Sequence, residues 1–204
     1  MLDLSGFSFS PTGTGRRVSG HIFPEGDRVT YPKSENDEER VRILRSLGIL
    51  DSSPDENFDR IVRLCRQVFG VEIATISMID AERQWFKAVE GLGVCETDRE
   101  AAFCNHTILG DAIFEVPNAL EDPSFRNNPL VTGPPAIRYY AGAPIRFDDF
   151  KLGALCLIDP APRPPMEERE RRILSDLAAI VEREIRTQRL LRESASFLTD
   201  LRKD

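Results

Sequence analysis

Residues Ile137 to Asp159 read IRYYAGAPIRFDDFKLGALCLID, two apolar runs separated by Asp148 and Asp149. Tyr139, Ala141, Ala143 and Ile145 fall on one side of the first run. Leu152, Ala154, Cys156 and Ile158 share a side of the second, so both runs carry the period of two that belongs to β-strands. The acidic pair supplies the turn, and the segment is expected to be a β-hairpin in the middle of a sheet. Gly142 and Gly153 mark bulges, or places where another backbone or a ligand comes close. Pro144 has no amide hydrogen to give to a ladder, which predicts a bulge or a strand edge there.

Upstream, VEIATISMID (Val71 to Asp80) alternates in the same way, and AERQWFKAVEG returns as its antiparallel partner. Trp85 and Phe86 then point to opposite faces, one into a helix-side core and the other free to wall a cavity. Before this hairpin, SENDEERVRILRSLGIL opens with helix-capping types and puts acidic residues ahead of arginines, as a helix dipole favours. PDENFDRIVRLCRQVFG predicts a second helix from Pro54, buried through Phe58, Ile61, Val62, Leu64, Cys65 and Val68 and stopped by Gly70.

Between the hairpins, Leu92 to Arg99 reads as a polar loop and AAFCNHTILG as one short helix. IFEVPNAL reads as a short strand ended by Pro117. EDPSFRNNPLVTGPP is a long connection rich in Pro, Asn and Gly, and long ordered loops in small domains are often functional covers. From Pro165 onward a charged helix is expected, with Ile173, Leu177, Ile180, Glu184, Thr187, Leu191, Ser194, Leu198 and Leu201 at the 4-3 spacing of a coiled-coil seam. Val181 and Ile185 lie beside that seam. Two readings of the helix therefore stand: dimerisation along the seam, or packing of its first half on the sheet.

The 204 residues fit one domain with extensions: an arm over residues 1–33 rich in Gly, Ser, Pro and Thr, a domain over 34–186 and a helical extension over 187–204. The arm is expected to be flexible, or to pair with a partner subunit. With 41% apolar residues the chain can bury a core, and its net charge of −7 argues against nucleic-acid or anionic-membrane binding. No run approaches a membrane span and no leader pattern opens the chain, so a cytoplasmic protein is expected. Cys65, Cys95, Cys104 and Cys156 form no C-x-x-C pair, which leaves paired-cysteine metal binding without support.

Helix, helix, hairpin, short helix, covering loop, hairpin and long helix make an α+β layer architecture: an antiparallel sheet of about six strands with helices on one face. The strings LGILDSSPDENFDRIVRLCRQVFG, DAERQWFKAVEGL, FCNHTIL, DPSFRNNPLVTGPP and IRYYAGAPI to LGALCLID resemble the GAF sensory domain over about Glu38 to Arg186. More narrowly, they resemble the bacterial group that precedes histidine kinases and diguanylate cyclases. The resemblance implies a non-enzymatic signal-transduction module, a small-molecule pocket between the sheet and its cover, a homodimer, and an output domain or partner kinase or cyclase. The chain lacks the cysteine that bilin-carrying relatives place before the central hairpin, and the NKFDE signature of cyclic-nucleotide binders. A bilin or haem is accordingly not expected, and the ligand is left unnamed. Free methionine-R-sulfoxide reductases offer the enzymatic alternative. Cys95 and Cys104 lie nine apart, much as two of their cysteines do, but the loop in which their catalytic cysteine belongs has none here.

The candidate ligand-binding residues are Trp85, Phe103, Cys104, His106, Arg138 and Tyr140. Trp85 and Tyr140, with Phe86, would supply aromatic walls and Arg138 an anion anchor, although core packing, or an ion pair to Asp122, explains them equally. Cys104 sits at a helix start, a position that suits either a buried residue or a redox-active thiol. Two residues apart on a helix, Cys104 and His106 are separated by about 200°, so a regular helix cannot turn both to one substrate.

Overall fold

The structure, a computed structural model, describes residues 31–200. The arm expected over residues 1–33 therefore lies outside the described residues except for its last three. Two of those three touch the domain: the Pro32 carbonyl accepts from Asn105 Nδ2 at 2.8 Å, and the Tyr31 ring lies 5.2 Å from the Arg99 guanidinium.

Helix α1 (Asp37–Ser46) begins with Asp37, Glu38 and Glu39 and has Arg45 in its last turn, both favourable to its dipole. Helix α2 (Glu56–Phe69) starts two residues beyond Pro54, because the Asp55 side chain caps it by accepting the Asn57 N–H; Gly70, at φ 61°, ends it in the left-handed region. Its buried face is Phe58, Ile61, Val62, Cys65 and Phe69. Leu64 and Val68, expected in that face, are exposed. At 3.6 residues per turn they stand roughly 80–120° away from the line through Phe58, Cys65 and Phe69.

Among the described residues six strands form one sheet: β1 (Ile73–Ile79), β2 (Arg83–Glu90), β3 (Glu96–Asp98), β4 (Phe114–Val116), β5 (Tyr139–Phe147) and β6 (Phe150–Asp159). Their order is β3-β2-β1-β6-β5-β4, with every neighbour antiparallel. The two hairpins meet where β1 pairs with β6, from Ile73 opposite Ile158 to Met78 opposite Gly153. Gly153 is required there, since a Cβ would overlap the Ser77 carbonyl. Strand β3 lies in the stretch read as a polar loop; three half-buried residues carry too little alternation to be seen.

Pro144 pairs opposite Ala154, but β4 reaches only Tyr140 to Gly142, so the missing amide faces no strand on that side. The bulge follows at Ile145/Arg146, and the Arg146 N–H donates to Glu182 at 2.7 Å. Glu182 belongs to α5 (Glu168–Asp200), a helix of 33 residues and therefore about 50 Å long.

The architecture is α+β. Helices α1, α2 and α5 pack on one face over a core that includes Leu44, Phe58, Met78, Trp85, Leu155 and Leu174. The other face is covered by a short helix α3 (Phe103–Thr107) and by the following connection, which contains one further turn, α4 (Pro129–Thr132). Its separate core includes Ile79, Phe103, Phe125, Val131, Tyr140 and Cys156. Strands β1, β5 and β6 feed both cores by alternation, except that Leu152, expected on the side of Ala154, Cys156 and Ile158, lies in the helix-side core, because the Ile145/Arg146 bulge breaks the period there. Among the described residues no helix is long and apolar enough to cross a membrane.

Candidate functional site

The face beneath α3 is where chemistry-bearing side chains converge. Strand alternation sends Tyr140 of β5 to this face, and the absence of a side chain at Gly142 lets its ring lie along the strand, because a Cβ there would overlap Tyr140 Oη. The hydroxyl is 2.6 Å from Thr107 Oγ1 and 3.5 Å from Cys156 Sγ. Cys156 in turn is 3.0 Å from Cys104 Sγ and 3.7 Å from Ser77 Oγ. Tyr140, Ser77, Thr107 and both thiols are buried. A chain of polar groups thus crosses the base of an otherwise apolar layer, each satisfying its neighbour.

Aromatic rings close the layer above it. Phe103 stacks on Phe125 at 4.1 Å and meets Tyr140 at 5.2 Å. His106 stacks on Phe114 at 5.7 Å and turns an edge to Phe125 at 4.8 Å. Such ring pairs add to area burial. Phe125 is the connection's contribution, and it sits against Phe103, His106 and Phe114 at the centre of this layer. A cleft of about 270 Å³ opens on the helix-bearing face, beside Phe69, Tyr139, Arg163 and Glu170.

Four of the six candidate residues, Phe103, Cys104, His106 and Tyr140, are brought together here. Trp85 is not: it packs with Phe58 and Met78 in the core on the opposite side of the sheet. Arg138 donates from one guanidinium nitrogen to the carbonyls of Val131, Ala136 and Ile137, at 2.9–3.1 Å, and so ties down the end of the connection. Asp122, its suspected partner, instead accepts the Ser124 N–H. The thiol nearest Cys104 belongs to Cys156; Cys95 is half-buried, and its carbonyl accepts the Phe86 N–H. Cys104 faces β6, while His106 turns to Phe114 and Phe125.

Burial sets the protonation of the site. It pushes the Cys104 and Tyr140 groups well up from their ordinary values, and it lowers His106, so that the neutral imidazole is favoured. Burial alone would raise Cys156 too, but hydrogen bonds from Cys104, Tyr140 and Ser77 outweigh it and bring this thiol below its ordinary value. Cys65, in the other core, has no such donors and is pushed up to about 12 by burial.

Sequence reasoning passed over Thr107, Phe114, Phe125, Cys156 and Arg99. Arg99 is fully buried and joins three elements. It makes a two-pronged ion pair with Asp37 of α1 at 2.7 and 2.8 Å, reaches the Asp80 and Ala81 carbonyls in the β1–β2 turn, and donates to Asn105 of α3 at 2.9 Å. A lone arginine in a charged loop gives no local signal of this. Among the described residues no group of three or more His, Cys, Asp or Glu is placed to hold a metal ion.

Comparison with known proteins agrees with this fold. A cyclic di-GMP phosphodiesterase of Pseudomonas aeruginosa is 42% identical over 162 residues, which are 79% of this chain and 28% of that protein. The chain thus spans under a third of that relative's length. The blue-light-absorbing form of the Thermosynechococcus elongatus PixJ GAF domain superposes with a TM-score of 0.57 at 13% identity, covering 79% of this chain and 96% of that one. Free methionine-R-sulfoxide reductase from Neisseria meningitidis gives 0.56 at 14%, covering 79% and 97%. These two likenesses show the fold alone. Residues 53–185, well over half of the sequence, match the family described as the GAF domain, and the chain belongs to that family.

Proposed function

We propose that this chain is a non-enzymatic sensory module that acts as a homodimer, takes a small molecule on the face beneath α3, and passes its state through β5 to α5 and thence to an output domain or partner enzyme. One observation carries the reading: successive residues of β5 serve the two faces. Tyr140 lies in the polar chain of the covered face. Its neighbour Tyr139 donates to Glu115 at 3.2 Å, and Glu115 also pairs with Arg171 and accepts the Met166 N–H at the entry to α5. Further along, the Arg146 N–H is held by Glu182 of the same helix. A ligand displacing Phe125 or Tyr140 would shift the strand to which α5 is fastened directly at Arg146 and, by way of Glu115 of β4, at Tyr139. It would transmit a signal only by favouring one of two arrangements of that strand and helix.

The output end has its own support. Leu174, Leu177, Ala178, Val181 and Ile185 bury one stripe of α5, whereas Ile180, Leu190, Leu191, Phe197 and Leu198 are exposed. The exposed stripe stands roughly 150° around the helix from the buried one. It includes three apolar positions of the 4-3 seam: Ile180, Leu191 and Leu198. A second copy of α5 is the occupant that such a repeat fits.

Light scattering on the purified chain at micromolar concentration is expected to give a dimer, and the Leu191→Glu/Leu198→Glu double variant a monomer with unchanged helicity. A monomeric parent protein would overturn the dimer. Native mass spectrometry of protein from cells is expected to show a retained small molecule, lost in Tyr140→Trp. An empty parent protein, which also gains no ligand from cell extract, would overturn the sensory part.

A further inference from the structure

The thiol pair beneath α3 has a chemistry of its own, independent of dimerisation or ligand binding. Cys104 is the second residue of a helix only five residues long, and Cys156 lies mid-strand in β6, 52 positions later. Their sulfurs are 3.0 Å apart. A disulfide needs about 2.05 Å, so closure asks for about 1 Å of movement. The partner able to supply it is α3, the shorter and less anchored element. Tyr140 Oη and Ser77 Oγ stand at 3.5 and 3.7 Å from Cys156 Sγ, two hydroxyls within reach to donate to that sulfur. That arrangement favours a thiolate at Cys156, with Cys104 as the neighbouring protonated thiol.

We propose that Cys104 and Cys156 form a reversible disulfide within the domain when the protein meets a peroxide, with Cys156 the sulfur attacked first and Cys104 the resolving thiol. Local opening of α3 admits the peroxide. The Cys156 thiolate attacks one peroxide oxygen and the O–O bond breaks. The departing oxygen takes a proton and leaves as water, and Cys156 becomes a sulfenic acid. Cys104 sulfur then attacks Cys156 sulfur, the S–O bond breaks, and the hydroxide leaves with the Cys104 proton as a second water. Two thiols have given up two electrons, and one peroxide has become two waters. A dithiol reductant reverses the step by exchange. The product pins α3 to β6 across a long loop, which stabilises the covered face.

The test is peroxide titration of the full chain, followed by alkylation under denaturing conditions, intact mass and peptide mapping. The expected result is two alkyl groups on the chain in place of four, with a linked Cys104–Cys156 peptide, and all four after dithiothreitol treatment. The unfolding midpoint should rise by about 5 °C on oxidation. Cys95→Ser should keep the link, whereas Cys104→Ala should lose it and leave a trappable sulfenic acid on Cys156. Both thiols alkylated after peroxide, a link through Cys95 instead, or overoxidation without a link would each overturn the assignment. The wild-type mapping decides the matter even if the alanine variant folds poorly. An empty protein that still forms the link would sink the sensory reading and leave this one standing, and a monomer that forms it would sink only the dimer.

Discussion

Tyr140 can occupy the covered face only because residue 142 is glycine. The Gly142 backbone does not need left-handed angles; what it lacks is a Cβ, which would collide with Tyr140 Oη and crowd Thr107 Oγ1. Both neighbours are buried and bonded to each other, so neither can yield without leaving a polar group unmatched. Gly142→Ala is therefore expected to cost about 2–4 kcal/mol, more than the ~1 kcal/mol of Tyr140→Phe, which removes one hydrogen bond but keeps the ring. Urea unfolding of the two variants checks the order, and a Gly142→Ala protein as stable as the parent would contradict the packing described. The glycine is visible in the sequence as a place of close approach. What approaches it is not, because the partner hydroxyl comes from a side chain two residues away whose rotamer depends on Thr107.

At the scale of elements, strong periodicity is legible and weak periodicity is not. Both hairpins, α2 and α5 stand where alternation or helical spacing puts them, and β1 against β6 joins the hairpins as required. Strand β3 and the buried role of Arg99 escape, since three residues and one charge carry no period. Sequence alone groups Trp85 and Tyr140 in one pocket because aromatic character is legible while the face it points to depends on strand register; here they lie on opposite sides. Helix α5 is ambiguous for a physical reason: its first half has two apolar stripes, and only tertiary packing selects between them. Leu174 is fully buried whereas Leu191 is exposed. Truncation to alanine should accordingly cost about 2–4 kcal/mol at Leu174 and little at Leu191 when unfolding is followed at dilutions that favour the monomer. The reverse order, a large cost at Leu191 and little at Leu174, would mean that α5 packs by the other stripe.

Across the whole molecule, the two faces of the sheet are joined around its end as well as through it. Asp37 of α1, on the helix-bearing side, reaches Arg99, which is bonded to Asn105 of α3 on the covered side. Arg45 and Asp80, 2.9 Å apart, tie the same turn again. Burial alone would raise the Asp37 carboxyl, but the guanidinium groups of Arg99 and Arg40 outweigh it and hold it below the ordinary carboxylate value. Asp80 is lowered likewise against burial, by Arg45 first. A carboxyl whose folded pKa lies below its unfolded one contributes stability that is present above the unfolded value, near 4, and lost as pH falls through the folded one. The protein should hold its stability down to about pH 5 on this account and then lose it on an acid limb to which Asp37 and Asp80 both contribute. Asp37→Asn leaves the fully buried Arg99 without its counter-charge, and should cost about 3–5 kcal/mol at neutral pH. The same variant has no carboxyl to protonate at position 37, so its unfolding free energy should fall less steeply with acid than that of the parent. Urea titrations of both proteins between about pH 7 and pH 3 measure the two effects together. Parallel curves, or a neutral-pH loss under about 1 kcal/mol, would mean that Arg99 is satisfied by the carbonyls and Asn105 alone and that the two faces are joined only through the strands.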